Sequence, residues 1–82
     1  MTGEIRNIHP GEILREEFLI PMQMSASKLA HLMNVEEVVV NNICDGKQKI
    51  TPSISRALSC GLGTTASLWM GLQDDYNRQG DN

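Results

Sequence analysis

The stretch SASKLAHLMNVEEVVVNNICDG, residues 25–46, decides how this chain folds. Ser25 or Ser27 offers a hydroxyl to the free N–H groups of a helix start. Behind it Leu29, Leu32 and Met33 recur at helical spacing and predict a buried face. Asn34 is one of the few non-glycine residues at ease in the left-handed region, so a tight turn there swings the chain into a second helix at about Glu36. Asp45-Gly46 closes that helix, with Gly46 free to take positive φ. Val35, Val39, Val40 and Ile43 fall on one side of it, and Glu37, Val38, Asn41, Asn42 and Asp45 on the other. Valines disfavour an isolated helix by a few tenths of a kcal/mol each, so three in a row must be held by tertiary packing.

Two short helices around a three- or four-residue turn describe a helix-turn-helix. Its geometry asks for a small residue where the helices cross, which Ala30 supplies. It asks for a turn former, which is Asn34, and a buried residue between the helices, which is Val40. Leu29 and Ile43 fill the neighbouring core positions.

Outward from this unit the remaining chain also reads as helix. His9-Pro10 opens a first helix, with Glu12 in its opening turn. Ile13, Leu14, Phe18 and Leu19 form one stripe, and Pro21 predicts the end because Ile20 before it is pushed from the helical region. Thr51-Pro52 starts a fourth helix lined by Ile54, Ala57, Leu58 and Leu62, and Gly63 stops it. Gly61 within it points to close packing, because a mid-helix glycine costs about 1 kcal/mol. Thr64 or Thr65 caps a fifth helix carrying Leu68, Trp69, Leu72 and Tyr76. Trp69, Leu72 and Tyr76 are either core or a dimer surface. The expectation is an all-α, five-helix domain over residues 1–82, with the helix-turn-helix at about 25–45 and a frayed tail at 79–82.

The bulk numbers fit this. An 82-residue chain has room for one modest core, and 40% apolar content with three aromatics means that aliphatic and Met side chains fill it. No apolar run nears the roughly 20 residues of a membrane span, and the N-terminus lacks the order of a signal peptide. A cytoplasmic protein with no membrane contact is expected. Cys44 and Cys60 fit no metal spacing and read as reduced core residues; neither a cofactor nor a metal is expected. Nor is an enzyme, since Ser, Cys, His and Asp do not cluster and no phosphate loop is present. The net charge is −3, yet residues 25–56 carry +1 and the rest −4, so the middle of the chain is the least acidic part.

The blocks HPGEILREEFLIPMQMSASKLAHLMNV, GKQKITPSISRAL and SLWMGLQDDY, in this order and spacing, resemble the HigA-type antitoxins, also called virulence-associated protein I, within the lambda-repressor-like helix-turn-helix domains. The resemblance covers His9 to Tyr76. It implies a homodimer that binds a double-stranded operator, represses its own operon and neutralises a small basic ribonuclease toxin. The chain departs from the family at four places. Ala26 stands where the family usually has a DNA-bonding glutamine, and Glu36-Glu37 where it has Ser-Arg or Ser-Pro. Asn41-Asn42 replace Ser-Arg, and Ala66-Ser67 replace Pro-Glu.

The two glutamates admit three readings. They gain about 0.3–1 kcal/mol each from the helix dipole simply as a solvated first turn. Alternatively one accepts from cytosine N4 while Asn41 or Asn42 pairs with adenine and Val38 meets a thymine methyl. Or DNA binding has weakened and the domain is chiefly a protein-binding module. The candidate interface is therefore Glu37, Val38, Asn41 and Asn42 as readers, with Lys28, Lys47 and Lys49 as phosphate anchors.

Overall fold

The computed structural model of the protein describes residues 8–80. Five helical rods occupy them, with no strand among the described residues. The first, α1, runs unbroken over residues 10–22; the others are α2 (Ala26–Met33), α3 (Glu37–Cys44), α4 (Pro52–Leu62) and α5 (Ala66–Gly80).

Local chemistry sets most boundaries. Ser25 Oγ accepts from Lys28 N–H at 3.0 Å, Thr51 Oγ1 from Ile54 N–H at 3.2 Å and Thr65 Oγ1 from Leu68 N–H at 3.1 Å, so three starts are capped by hydroxyls. At the end of α2 Asn34 takes φ 61° and ψ 43°. Asn34 N–H then reaches His31 O at 3.1 Å and Val35 N–H reaches Ala30 O at 3.0 Å, the paired bonds of a Schellman turn. The same pair closes α3, with Gly46 N–H on Ile43 O at 3.1 Å and Lys47 N–H on Asn42 O at 2.8 Å. The expected turn at residue 34 and stop at Gly46 are both present.

Pro21 does not end α1. Leu14–Leu19 is π-helical, and Ile20 keeps helical angles (φ −66°, ψ −52°) while its N–H reaches back five residues to Arg15 O. The wider turn draws the preceding carbonyls away from the proline ring, and the missing donor falls within one turn of the end. Gln23, in the left-handed region at φ 55°, makes the stop instead. At the other terminus α5 continues through Gly80, two residues into the tail expected to fray; residues 81 and 82 lie outside the described residues, as do 1–7.

The core is Leu14 and Leu19 from α1, Leu29, Ala30 and Met33 from α2, Val40 and Ile43 from α3, Ile50 from the following loop, Leu58 from α4 and Trp69 from α5. Helix α2 packs on α3 and α4, α4 on α5, and α1 on α3 and α5. A Cβ on Gly61 would lie 3.2 Å from Leu29 Cδ1 and 3.4 Å from Met33 Cγ, so the close packing expected there is present, and it is a crossing of α4 with α2. Leu32 Cβ meets the same crossing at 3.5 Å, yet Leu32 is 40% exposed and does not join the core. Leu68 is likewise 40% exposed, because Trp69 and Gln73, not Leu68, form the inner stripe of α5. Cys60 is exposed and not a core residue, whereas Cys44 packs partly buried against the core.

Candidate nucleic-acid interface

The helix-turn-helix presents α3 as the hydrophobic seam of its sequence requires. Val40 and Ile43 are fully buried, and this pins the opposite side outward. Glu37, Val38 and Asn41 are exposed and Asn42 is half-buried. Positions 37 and 41, and 38 and 42, stand one turn apart on that face. Val38, at 53% exposure, is the apolar member among polar neighbours. Glu36 precedes the helix in extended conformation and its side chain makes no capping bond, so the α3 N-terminus offers free N–H groups beside two exposed carboxylates.

The three lysines lie outside α3. Lys28 is in the first turn of α2, exposed, its N–H tied to Ser25. Lys47 follows the α3 stop, and its backbone is fixed by the 2.8 Å bond to Asn42 O. Lys49 is exposed in the loop before α4. None of the three is in an ion pair among the described residues, whereas Arg15 pairs with Glu16 and Arg78 with Asp75. The structure thus places Glu37, Val38, Asn41 and Asn42 on one helix, Lys47 and Lys49 in the loop that follows it and Lys28 on the preceding helix.

Three residues that hold this face are not singled out by periodicity. The first is Gly11. A Cβ there would lie 1.6 Å from Ile43 O and 2.5 Å from Ile43 C, so the α1 backbone lies directly on the last turn of α3. His9 caps α1, its Nδ1 accepting from Gly11 N–H at 2.9 Å, and its ring meets Tyr76 of α5 edge-on at 4.8 Å. Burial lowers the His9 pKa, which suits the neutral ring that this acceptor role needs. The third is Gln73, buried on α5, whose Oε1 accepts from Ile50 N–H at 2.7 Å. The only sequence signal for these was their place in the HPGE and LQ portions of the blocks quoted above.

Nothing in this neighbourhood resembles a reaction centre. Burial raises the Cys44 thiol pKa, with Arg15 opposing and Asp45 adding to it, so the sulfur stays protonated at neutral pH. No group of His, Cys, Asp and Glu among the described residues could hold a metal ion, and no helix there is long and apolar enough to cross a membrane.

Comparison with known proteins gives a consistent set. The chain is 39% identical over 75 residues to virulence-associated protein I of Dichelobacter nodosus, covering 92% of this chain and 69% of that protein. Among solved structures it matches the Pseudomonas aeruginosa antitoxin HigA with the higBA promoter at a TM-score of 0.88 and 37% identity, covering 93% of this chain and 83% of that one. A second structure, of a Pseudomonas aeruginosa protein in complex with its 18-bp operator DNA, matches at a TM-score of 0.89 and 36% identity over 95% of this chain and 84% of that one. The chain spans roughly two thirds of the length of the curated relatives it matches, 69%, 59% and 64% for three of them. No family model matches it.

Proposed function

The chain belongs to the family of the HigA antitoxins and virulence-associated protein I, and on that premise we propose that it is a sequence-specific DNA-binding repressor of antitoxin type. It acts as a cytoplasmic homodimer that represses its own operon and neutralises a small basic ribonuclease. The observation that carries this reading is the fold match to two structures solved with promoter or operator DNA, combined with an outward polar face on α3. Two copies of α3 enter successive major grooves about 34 Å apart, which requires a palindromic site. Glu37, Val38, Asn41 and Asn42 read base edges, and Lys28, Lys47 and Lys49 hold phosphates. Relatives named as an antitoxin and a transcriptional regulator support a binding function rather than a catalytic one.

The test is fluorescence anisotropy of a labelled duplex from upstream of the gene, titrated across salt. Affinity for the native duplex should exceed that for a scrambled one by at least a hundredfold, with both falling steeply as salt rises. Equal affinities at every salt concentration end the repressor reading. They would leave the second reading, a protein-binding antitoxin module, which the exposed Glu36, Glu37 and Val38 favour.

The glutamates give a sharper expectation. In Glu36→Gln/Glu37→Gln, binding to scrambled DNA at low salt should tighten by up to roughly thirtyfold, because each removed charge near a phosphate relieves roughly 1 kcal/mol of repulsion at contact in water. The same variant should lose about 0.3–1 kcal/mol of stability per site as the helix dipole loses its anion. Unchanged DNA affinity would mean that the carboxylates face only solvent.

A further inference from the structure

The loop between α3 and α4 carries two of the three lysines, and it is pinned at both ends. At its start Lys47 N–H bonds Asn42 O, so the first lysine is fixed by the closing turn of α3 itself. At its end Ile50 is fully buried and its N–H has one acceptor, the Oε1 of Gln73 at 2.7 Å. Gln73 comes from a different part of the chain, 23 residues on. Its amide is oriented in turn, because Nε2 donates to Asn77 Oδ1 at 3.0 Å, one turn further along α5. Asn77 is exposed, so this chain runs from the surface of α5 through a buried amide into the backbone beside Lys49.

We propose that Gln73 is a positioning residue for DNA binding, holding the lysine loop in its binding-competent form from α5, with Asn77 setting the orientation of its amide. The inference rests on the reading of Lys47 and Lys49 as phosphate anchors. Its physical basis is ordering. A loop held before DNA arrives need not be ordered on binding, and that saving appears as affinity. Without the acceptor, the buried Ile50 N–H is unsatisfied and the loop escapes to hydrate it.

The experiment compares Gln73→Met, which keeps length and volume but not the acceptor, in the wild-type background and in Lys47→Ala/Lys49→Ala. Binding to the upstream duplex is measured at one salt concentration and a temperature at which circular dichroism shows every variant folded. Gln73→Met should weaken binding roughly tenfold when the lysines are present and less than twofold when they are absent, a coupling that general destabilisation does not produce. Asn77→Ala, a surface change safe for folding, should give a smaller loss of about threefold with the same dependence on the lysines. Hydrogen exchange on the DNA-free protein should show faster exchange at residues 47–50 in Gln73→Met, with the α3 amides unaltered. Equal losses in both backgrounds overturn the inference, and so does a loop that stays protected in Gln73→Met. If the loop loosens while Lys47→Ala/Lys49→Ala binds as wild type does, the anchor reading of the lysines has failed and positioning for DNA fails with it.

Discussion

Gly11→Ala should destabilise the protein by about 3 kcal/mol or more, although Ala is the better helix former by about 1 kcal/mol. The added methyl would overlap Ile43 O at 1.6 Å and approach Cys44 Cα at 3.0 Å, and these are backbone atoms that no rotamer change can move. Relief requires α1 and the last turn of α3 to separate, which uncovers Ile43 in the core and re-aims the reading face. In urea the midpoint should fall without a change in slope, and the melting temperature should drop by about 12 °C or more for a domain of this size. Gly71→Ala is the matched control. It makes the same chemical change in mid-α5, where a Cβ meets nothing within 4 Å, and it should be neutral or stabilising by up to about 1 kcal/mol. Similar effects from the two substitutions would show that Gly11 is not a contact point between α1 and α3. A stable Gly11→Ala protein with unaltered DNA affinity would refute the packing account altogether.

Those two glycines mark where sequence stops being informative. A cap is a conversation between neighbours, so Ser25, Thr51-Pro52, Gly46 and Gly63 announced their helix ends, and the outward turn of α3 followed from Val40 and Ile43 alone. Asn34 was legible for the same reason: its left-handed turn is a local property. Gly11 and Gly71 are indistinguishable until one knows what lies across from each. The same applies to Leu32, which has the spacing of a core residue but is 40% exposed beside the crossing of α4 with α2. Pro21 misled because its usual veto assumes α-helical spacing, and the π-helical turn before it removes the clash. Gln73 is the strongest instance. A glutamine on an amphipathic helix normally reads as solvated, and only the orphan N–H of Ile50, a tertiary fact, explains its burial. The roles proposed for Glu37, Asn41 and Asn42 are further still from the sequence. Their exposure is set by the fold, but the contacts proposed for them depend on a duplex whose bases the chain does not encode.

Trp69→Ala should cost about 3–5 kcal/mol, enough to unfold much of the population at 37 °C if the domain has ordinary stability for its size. The indole is fully buried, its ring lies 5.3 Å from Phe18 of α1, and its N–H donates to Thr64 Oγ1 at 2.7 Å. Trp69 therefore links α5 to α1 and to its own entry turn through one side chain. Trp69→Phe separates the two contributions. It keeps a ring near Phe18 and loses the donor, and Thr64 is half-buried and can turn its hydroxyl to water, so about 1–2 kcal/mol should be lost. Circular dichroism in urea measures both variants, since the only tryptophan of the chain is gone in each. Wild-type fluorescence should shift red in the same transition that dichroism reports. A loss below about 1.5 kcal/mol for Trp69→Ala would mean that the ring is not the centre of the core. That result would reopen the choice, posed by the spacing of Trp69, Leu72 and Tyr76, between core and dimer surface. With Trp69 in the core, only the half-buried Leu72 and Tyr76 of that stripe remain for a second subunit to cover. Loss of Trp69 should then lower stability equally at every protein concentration, whereas loss of a dimer contact would lower it most in dilute solution.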